Sequence, residues 1–413
     1  MRRRTLGLLL TMLALAGCVA QMGAAPGVPV RLGQAPAGGP PSGHVAILLP
    51  LSGSRPEIAQ ALLKGAQLAL AGPGAPALDV RDTGGTPQGA ATAAQAAIAG
   101  GAGLILGPLT SAETAAVAPV AGKAGIAVLA FTNDPAQGRP GVWPLGITPR
   151  QQVTRLVEAA RSQGKSQFAA LLPETDFGSA MSVALQEATA TAGLPPPRIR
   201  QHGSGMAAIN SATRDLSDYA SRGGAVDARI RAARASRDAE GRRQAAELAQ
   251  QRGAVAPPPF DALLLADVGE PLAEIASLLP YYDIRSSAVR ILGPALWATP
   301  SSGSGAFPGA WYAAPDPAAR AGFNDAFTAK FGTPAPAIAD LAFDAASIAR
   351  VLAQNGGFST AALTQPGGFA GTDGLMALQP DGRVRRGLAV FEIQRGGPQL
   401  IEPAPQSFSA PGV

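Results

Sequence analysis

LILGPLTSAETAAVAPVAGKAGIAVLAFTND, residues 104–134, contains a whole strand–helix–strand unit. Leu104 to Leu106 is a short apolar run broken by Gly107-Pro108-Leu109, and Ile126 to Phe131 is a second such run. Between them Thr110-Ser111-Ala112-Glu113 has capping-box spacing: a hydroxyl placed to accept from the third amide of a helix, and an acid placed to reach back. Two apolar runs joined by one helix predict parallel strands in a βαβ unit.

The same alternation extends in both directions. Upstream, His44 to Pro50 reads as a buried strand, followed by a turn at Leu51-Ser52-Gly53. Pro56 to Ala71 carries Ile58, Ala61, Leu62, Ala66, Ala69 and Leu70 at helical spacing. Ala77 to Arg81 is a second strand, ended by Asp82-Thr83-Gly84-Gly85, and Gln88 to Ile98 a second helix entered through Pro87. Downstream, Thr148-Pro149-Arg150-Gln151 repeats the capping logic ahead of Val153, Leu156, Val157 and Ala160. Strands at 168–172, 260–266 and 289–292 alternate with helices at Ser179 to Ala192 and Pro271 to Leu279. Asp316-Pro317 opens a helix holding Phe323 and Phe327, Ile338 to Leu352 forms another, and Leu388 to Gln394 is a last strand. The expected class is α/β, with two doubly wound parallel-sheet lobes. An Ala/Arg-rich helical insertion over 210–252, closed by Pro257-Pro258-Pro259, interrupts the second.

Arg2, Arg3 and Arg4 precede an apolar run from Leu6 to Leu15 that is too short to span a bilayer. Leu15-Ala16-Gly17-Cys18 follows, and Cys18 is the single cysteine. Residues 1–17 are therefore read as an export signal. The Ala/Gly/Pro-rich residues 18–42 are read as a tether that holds the folded part away from the membrane. Of the 33 Lys and Arg, three lie in the signal, leaving 30 against 28 Asp and Glu, which is no polyanion-binding charge and speaks against nucleic acid. With one cysteine at the N-terminal edge, the folded part has no disulfide or thiolate metal site.

No catalytic constellation emerges. His44 and His202 are the only histidines, and neither sits in a metal or triad spacing. Gly164-Lys165-Ser166 has the ending of a phosphate loop, but Ala159 stands where its first glycine must be. Asp82, Asp176, Asp267 and Asp344 fall on separate turns, which suits capping better than acid–base pairing. No metal and no cofactor are expected.

HVAILLPLSG (44–53), GAQLAL (65–70), the segment 104–134 and FDALLLAD (260–267) together resemble the type I periplasmic binding proteins, the superfamily of Leu/Ile/Val-binding proteins. GVWPLGITPRQQVTRLVEAARSQG (141–164), YYDI (281–284), ILGPALW (291–297) and DGRVRRGLAVFEI (381–393) look like one branch of it, the penicillin-binding-protein activator lipoproteins of the LpoA type. Leu15 to Cys18 resembles a bacterial lipobox, which implies cleavage before Cys18 and a lipid anchor on it. Val19 is unlike the acidic residue that retains lipoproteins in the inner membrane, so the resemblance implies an outer-membrane address facing the periplasm.

The resemblance also implies a layout. Residues 43–145 and 299–367 would form lobe 1, residues 146–298 and 368–402 lobe 2, with a hinge between them and 403–413 as a flexible tail. Ligand would lie between the lobes, at strand carboxyl ends and helix amino ends. The matching positions are Ser52, Leu109, Thr110, Ser111, Phe131 and Thr132 from lobe 1, and Asp176, Phe177 and Asp267 from lobe 2. Thr110 and Ser111 would offer donors to a carboxylate, with helix capping as the plainer role for Thr110. Asp267 would meet an ammonium group, or else cap the next helix. Phe177 stands where amino-acid binders often have a tyrosine. Two non-enzymatic functions follow: an activator of a bifunctional penicillin-binding protein in peptidoglycan synthesis, or the substrate-binding protein of an amino-acid ABC transporter. A small amino-acid-like or peptidoglycan-derived ligand fits either.

Overall fold

The computed structural model describes residues 44–252 and 256–408; the signal, Cys18 and the tether lie outside the described residues. The first passage is β1 (His44–Leu49), α1 (Pro56–Ala69), β2 (Ala77–Asp82), α2 (Pro87–Ala99), β3 (Leu104–Leu106), α3 (Ser111–Ala124), β4 (Ala127–Ala130) and β5 (Val142–Pro144). The second is α4 (Pro149–Ser162), β6 (Phe168–Pro173), α5 (Asp176–Thr191), β7 (Arg198–His202), α6 (Met206–Leu216), α7 (Ala225–Ala235), α8 (Ala239–Arg252), β8 (Ala262–Leu265), α9 (Glu270–Leu278), β9 (Arg290–Gly293) and β10 (Trp311–Ala314). Then come α10 (Ala321–Phe331), α11 (Ala339–Gln354), α12 (Thr360–Leu363), β11 (Phe369–Gly371), β12 (Gly374–Leu378), β13 (Val384–Arg386), β14 (Ala389–Gln394) and β15 (Gly397–Glu402).

The first sheet has the order β2-β1-β3-β4-β5, all parallel. The second runs β15-β14-β10-β9-β8-β6-β7, parallel from β7 to β10, with β14 and β15 antiparallel at one edge. Both sheets thus reverse direction next to their first strand, between β1 and β3 and between β6 and β8, where doubly wound folds open a crevice. Val45 to Leu49 and Ala262 to Leu265 are buried throughout, because helices cover both faces of these sheets. The expected doubly wound, two-lobed α/β class is what the chain forms.

Local signals set the element starts. Thr110 and Thr148 each form a complete capping box, with Glu113 and Gln151. In α1, Gly65 has no side chain because the Ala339 carbonyl of α11 lies where a Cβ would stand, at 2.0 Å. That contact returns α10 and α11 to the first lobe, where Phe323 and Phe327 pack with Ala61.

The expected boundaries need correction in five places. β10 pairs with β9 and β14, so the second passage between lobes follows Ala314 rather than residue 298. β11 to β13 form a small antiparallel sheet in which Phe369 pairs with Met376, and both sink into the first core with Leu378. The third passage is therefore at Gly387, not at residue 367. The insertion is shorter than 210–252, since Ile209, Ala212 and Leu216 of α6 belong to the second core. The projecting part is the hairpin of α7 and α8, with a minor core of Ile230, Ala233, Ala245 and Leu248. α5 begins at Asp176, because the Thr175 hydroxyl accepts the Gly178 N–H and caps it earlier than Ser179. Finally, the described part of the tail packs: the Pro403 carbonyl accepts from Arg155, Ala404 is buried, and the Arg385 guanidinium lies 4.4 Å from the Phe408 ring.

Candidate functional site

The predicted positions gather at the two switch points, yet every polar one except Asp176 is already engaged within its own lobe. In lobe 1, three donors converge on fully buried Glu113: the Thr83 hydroxyl at 2.5 Å, the Thr110 N–H at 3.1 Å and the Thr110 hydroxyl at 2.8 Å. Thr110 is thus a helix cap whose amide and hydroxyl both face an acid of its own lobe. The Ser111 hydroxyl donates to Asp134. Burial raises the Asp134 carboxyl, but the Ser111 hydroxyl, the Gln137 amide and the Ala136 N–H outweigh it and hold the group below its ordinary range. Two acids already occupy the amino end of α3, so a ligand carboxylate there would meet like charge.

The other lobe 1 positions are structural or exposed. Ser52 donates its N–H to Asp82, and the Ser52 hydroxyl is the leading cause that lowers the Asp82 carboxyl. Phe131 is buried in the first core with half-buried Leu109 against it. Thr132 is buried, and its hydroxyl accepts the Asp134 N–H, bracing the turn that aims Asp134 at Ser111.

In lobe 2, Asp176 is the exposed first residue of α5, and half-buried Phe177 packs on the core. Asp267 is neither free for an ammonium group nor a cap, since α9 starts from Gly269 without a side-chain cap. Its carboxylate lies 3.2 Å from His202 Nε2, and its backbone carbonyl accepts from Trp297 Nε1 at 3.0 Å. His202 closes β7, and its Nδ1 faces the Gly203 carbonyl at 3.0 Å. Both ring nitrogens face oxygen acceptors, an arrangement that favours the doubly protonated ring. Burial opposes that charge, but the Asp267 carboxylate and the Gly203 carbonyl prevail and the His202 pKa is raised.

The strand ends of lobe 2 expose apolar side chains, Met206 after β7, Val268 after β8 and Leu296 after β9, beside polar Glu174, Thr175 and Asp176 after β6. Two open grooves, of about 600 and 510 Å³, lie elsewhere, one beside the free edge of β7 between α5 and α6, the other along β2 and α2. Neither is lined by any of the nine predicted positions. Among the described residues no group of three or more His, Cys, Asp or Glu could hold a metal, and no helix is long and apolar enough to cross a membrane. Sequence reasoning missed His202 and Asp134, whose partners lie 65 and 23 residues away. Glu113 was visible through its cap spacing, though its contact with Thr83 was not.

A crystal structure of a Rhodospirillum rubrum protein assigned to branched-chain amino-acid ABC transport matches with a TM-score of 0.65 at 18% identity, over 87% of this chain and 99% of that one. The C-domain of LpoA from Haemophilus influenzae, a regulator of PBP1A, matches at 0.62 and 15% identity over 87% and 99%. An ABC transporter substrate-binding protein of Desulfitobacterium hafniense in complex with Leu matches at 0.55 and 14% over the same shares. At these identities the likeness is one of fold. No curated protein matches the sequence. The family model described as periplasmic binding protein matches residues 43–398, nearly the whole folded part, and the chain belongs to that family.

Proposed function

We propose that this protein is a lipid-anchored periplasmic regulator that docks onto a bifunctional penicillin-binding protein, rather than a receptor that delivers free amino acid to a permease. One observation carries the reading: the groups that would grip the charged ends of an amino acid are held by the protein's own side chains, Thr110 by Glu113, Ser111 by Asp134 and Asp267 by His202. To bind a zwitterion there, the fold would first have to break these contacts, part-buried at Thr110 and Ser111 and buried at Asp267, where a partner left unmade costs about 1–3 kcal/mol. The lipobox-like Leu15 to Cys18 supplies the anchor, the residues before β1 the reach, and Val19 the outer-membrane address.

The docking element is the hairpin of α7 and α8. Arg229, Arg231, Arg234, Arg237, Arg242 and Arg243 are all exposed on it, against Asp238, Glu240 and Glu247. Arginine is favoured at interfaces for its forked donors and weak hydration. The hairpin is also separable. Arg222 at its base donates to the carbonyls of Ser217, Ala256 and Tyr282, so both legs of the insertion come within reach of one side chain. Replacing residues 225–252 by a short Gly/Ser loop should leave both lobes folded, because loop closure changes slowly with length. Pull-down of a purified bifunctional synthase should succeed with the intact chain and fail with the folded deletion variant. Unchanged capture by the variant moves docking to another face.

The transport reading keeps one observation in its favour. Met206, Val268 and Leu296 leave an apolar rim at the strand ends of lobe 2, which suits a ligand with an apolar side chain.

A further inference from the structure

The three connections between the lobes share one buried set of charges. The first connection carries Leu145, whose carbonyl accepts from Arg386 Nη2 at 2.6 Å. The second, after β10, leads to Arg320, whose Nη2 lies 2.7 Å from Asp340 Oδ2. The third leaves β13 at Arg386, which lies 4.0 Å from Asp373. Between these ends, Asp340 and Asp344 sit one turn apart on α11, and Asp373 lies in the turn from β11 to β12. Asp344 accepts the Thr372 N–H at 2.8 Å and its hydroxyl at 3.0 Å. Gly371 makes room for that carboxylate, since a Cβ there would stand 2.3 Å from Asp344 Oδ2.

We propose that Arg320, Asp340, Asp344, Asp373 and Arg386 form a proton-dependent latch that ties the three connections together and so sets the angle between the lobes. Three carboxylates face two guanidinium groups, so the set is neutral only when it holds one proton. Asp340 and Asp373 bear on each other, and each lies against one guanidinium, Arg320 for Asp340 and Arg386 for Asp373. The charged groups bearing on this pair come from each neighbouring element: Arg320 before α10, Asp344 on α11 and Arg386 on β13. Burial first, then Asp373, pushes the Asp340 carboxyl up to about 8, against the pull of Arg320. Burial first, then Asp373, raises Asp344 to about 6. Asp344 Oδ2, Asp373 Oδ1 and Arg386 Nε and Nη1 are buried without a hydrogen-bond partner, so the set has unused donors and acceptors through which it can re-pair when the proton leaves.

Losing the proton leaves one uncompensated negative charge among groups that are nearly all buried. The set can then regain water only by loosening the connections it holds. This proposal does not depend on which partner the protein serves. The test is an inter-lobe distance distribution from spin labels on the full chain carrying Cys18→Ala, Gln88→Cys and Gln186→Cys, two exposed positions on different lobes. Between about pH 6 and about pH 10 the distribution should shift, with a midpoint near the Asp340 value. Asp340→Asn and Asp373→Asn, neutral at every pH, should each abolish the shift. A distribution unchanged across that range in the otherwise wild-type chain overturns the latch, and this arm needs no variant of the buried set to fold. A shift that persists in both Asn variants also overturns it, and would assign the transition to another group such as His202.

Discussion

Replacing His202 by phenylalanine keeps a ring of similar size at the end of β7 but removes both ring nitrogens that face Asp267 and the Gly203 carbonyl. The side chains of His202 and Asp267 are 2% and 4% exposed, so water cannot take over. Leaving one partner of such a buried pair alone costs about 3–5 kcal/mol. For a lobe of this size, m is about 3 kcal/mol/M in urea, so the unfolding midpoint should fall by roughly 1–1.7 M. Replacing both residues, as His202→Phe with Asp267→Leu, should recover most of that loss, because apolar substitution of a whole buried pair is often neutral. The assay is urea unfolding followed by tryptophan fluorescence. Trp297 reports on the site directly, since it donates to the Asp267 carbonyl and stacks 5.7 Å from Phe307. The pH dependence has a fixed sign. The folded His202 pKa is raised above the ordinary 6.5, so the pair's stabilisation is fully present below about 6.5 and is lost as pH rises through the higher folded value. The wild type should therefore lose more stability than the double variant between neutral and alkaline pH. A single variant within about 1 kcal/mol of the wild type would refute the buried-pair reading.

Two further outcomes follow from packing and anchoring. Gly65→Ala places a methyl against the Ala339 carbonyl and should destabilise lobe 1 by about 1–3 kcal/mol in thermal unfolding, since a backbone oxygen in a helix cannot step aside. Cys18→Ala should leave the chain unprocessed or release it to the soluble periplasmic fraction with an unchanged circular dichroism spectrum; a mature-sized variant still in the membrane pellet would exclude the lipobox reading.

What was legible in the sequence was local. Both capping boxes, the buried strands β1, β3 and β8, and the helices between them are written in neighbouring residues, and their order was enough to place the fold. Strands whose signal is short or polar were missed. β7 alternates Arg198 and Arg200 at a sheet edge with little to bury, and β5 is three residues long. Membership of a lobe is a tertiary matter: β10 reads the same whichever sheet receives it, and only Phe369 and Met376 meeting across a ribbon assign β11 and β12 to the first core. The candidate site failed in the same way. Thr110 was recognisable as a cap, but nothing near Asp267 announces a histidine on β7, separated from β8 by a whole strand in the sheet. Asp340 and Asp344 are spaced to share a helix face, yet only the fold brings Asp373 to that face from the turn after β11.

In the proposed reading the strand ends are closed to a free amino acid by the protein's own side chains. Titration calorimetry of the folded chain with leucine, isoleucine and valine tests it most directly. No saturable heat is expected up to about 1 mM ligand. Saturable binding of leucine with a Kd of about 1 μM, weakened about tenfold or more by Thr110→Val or Ser111→Ala, would contradict it and return the protein to transport.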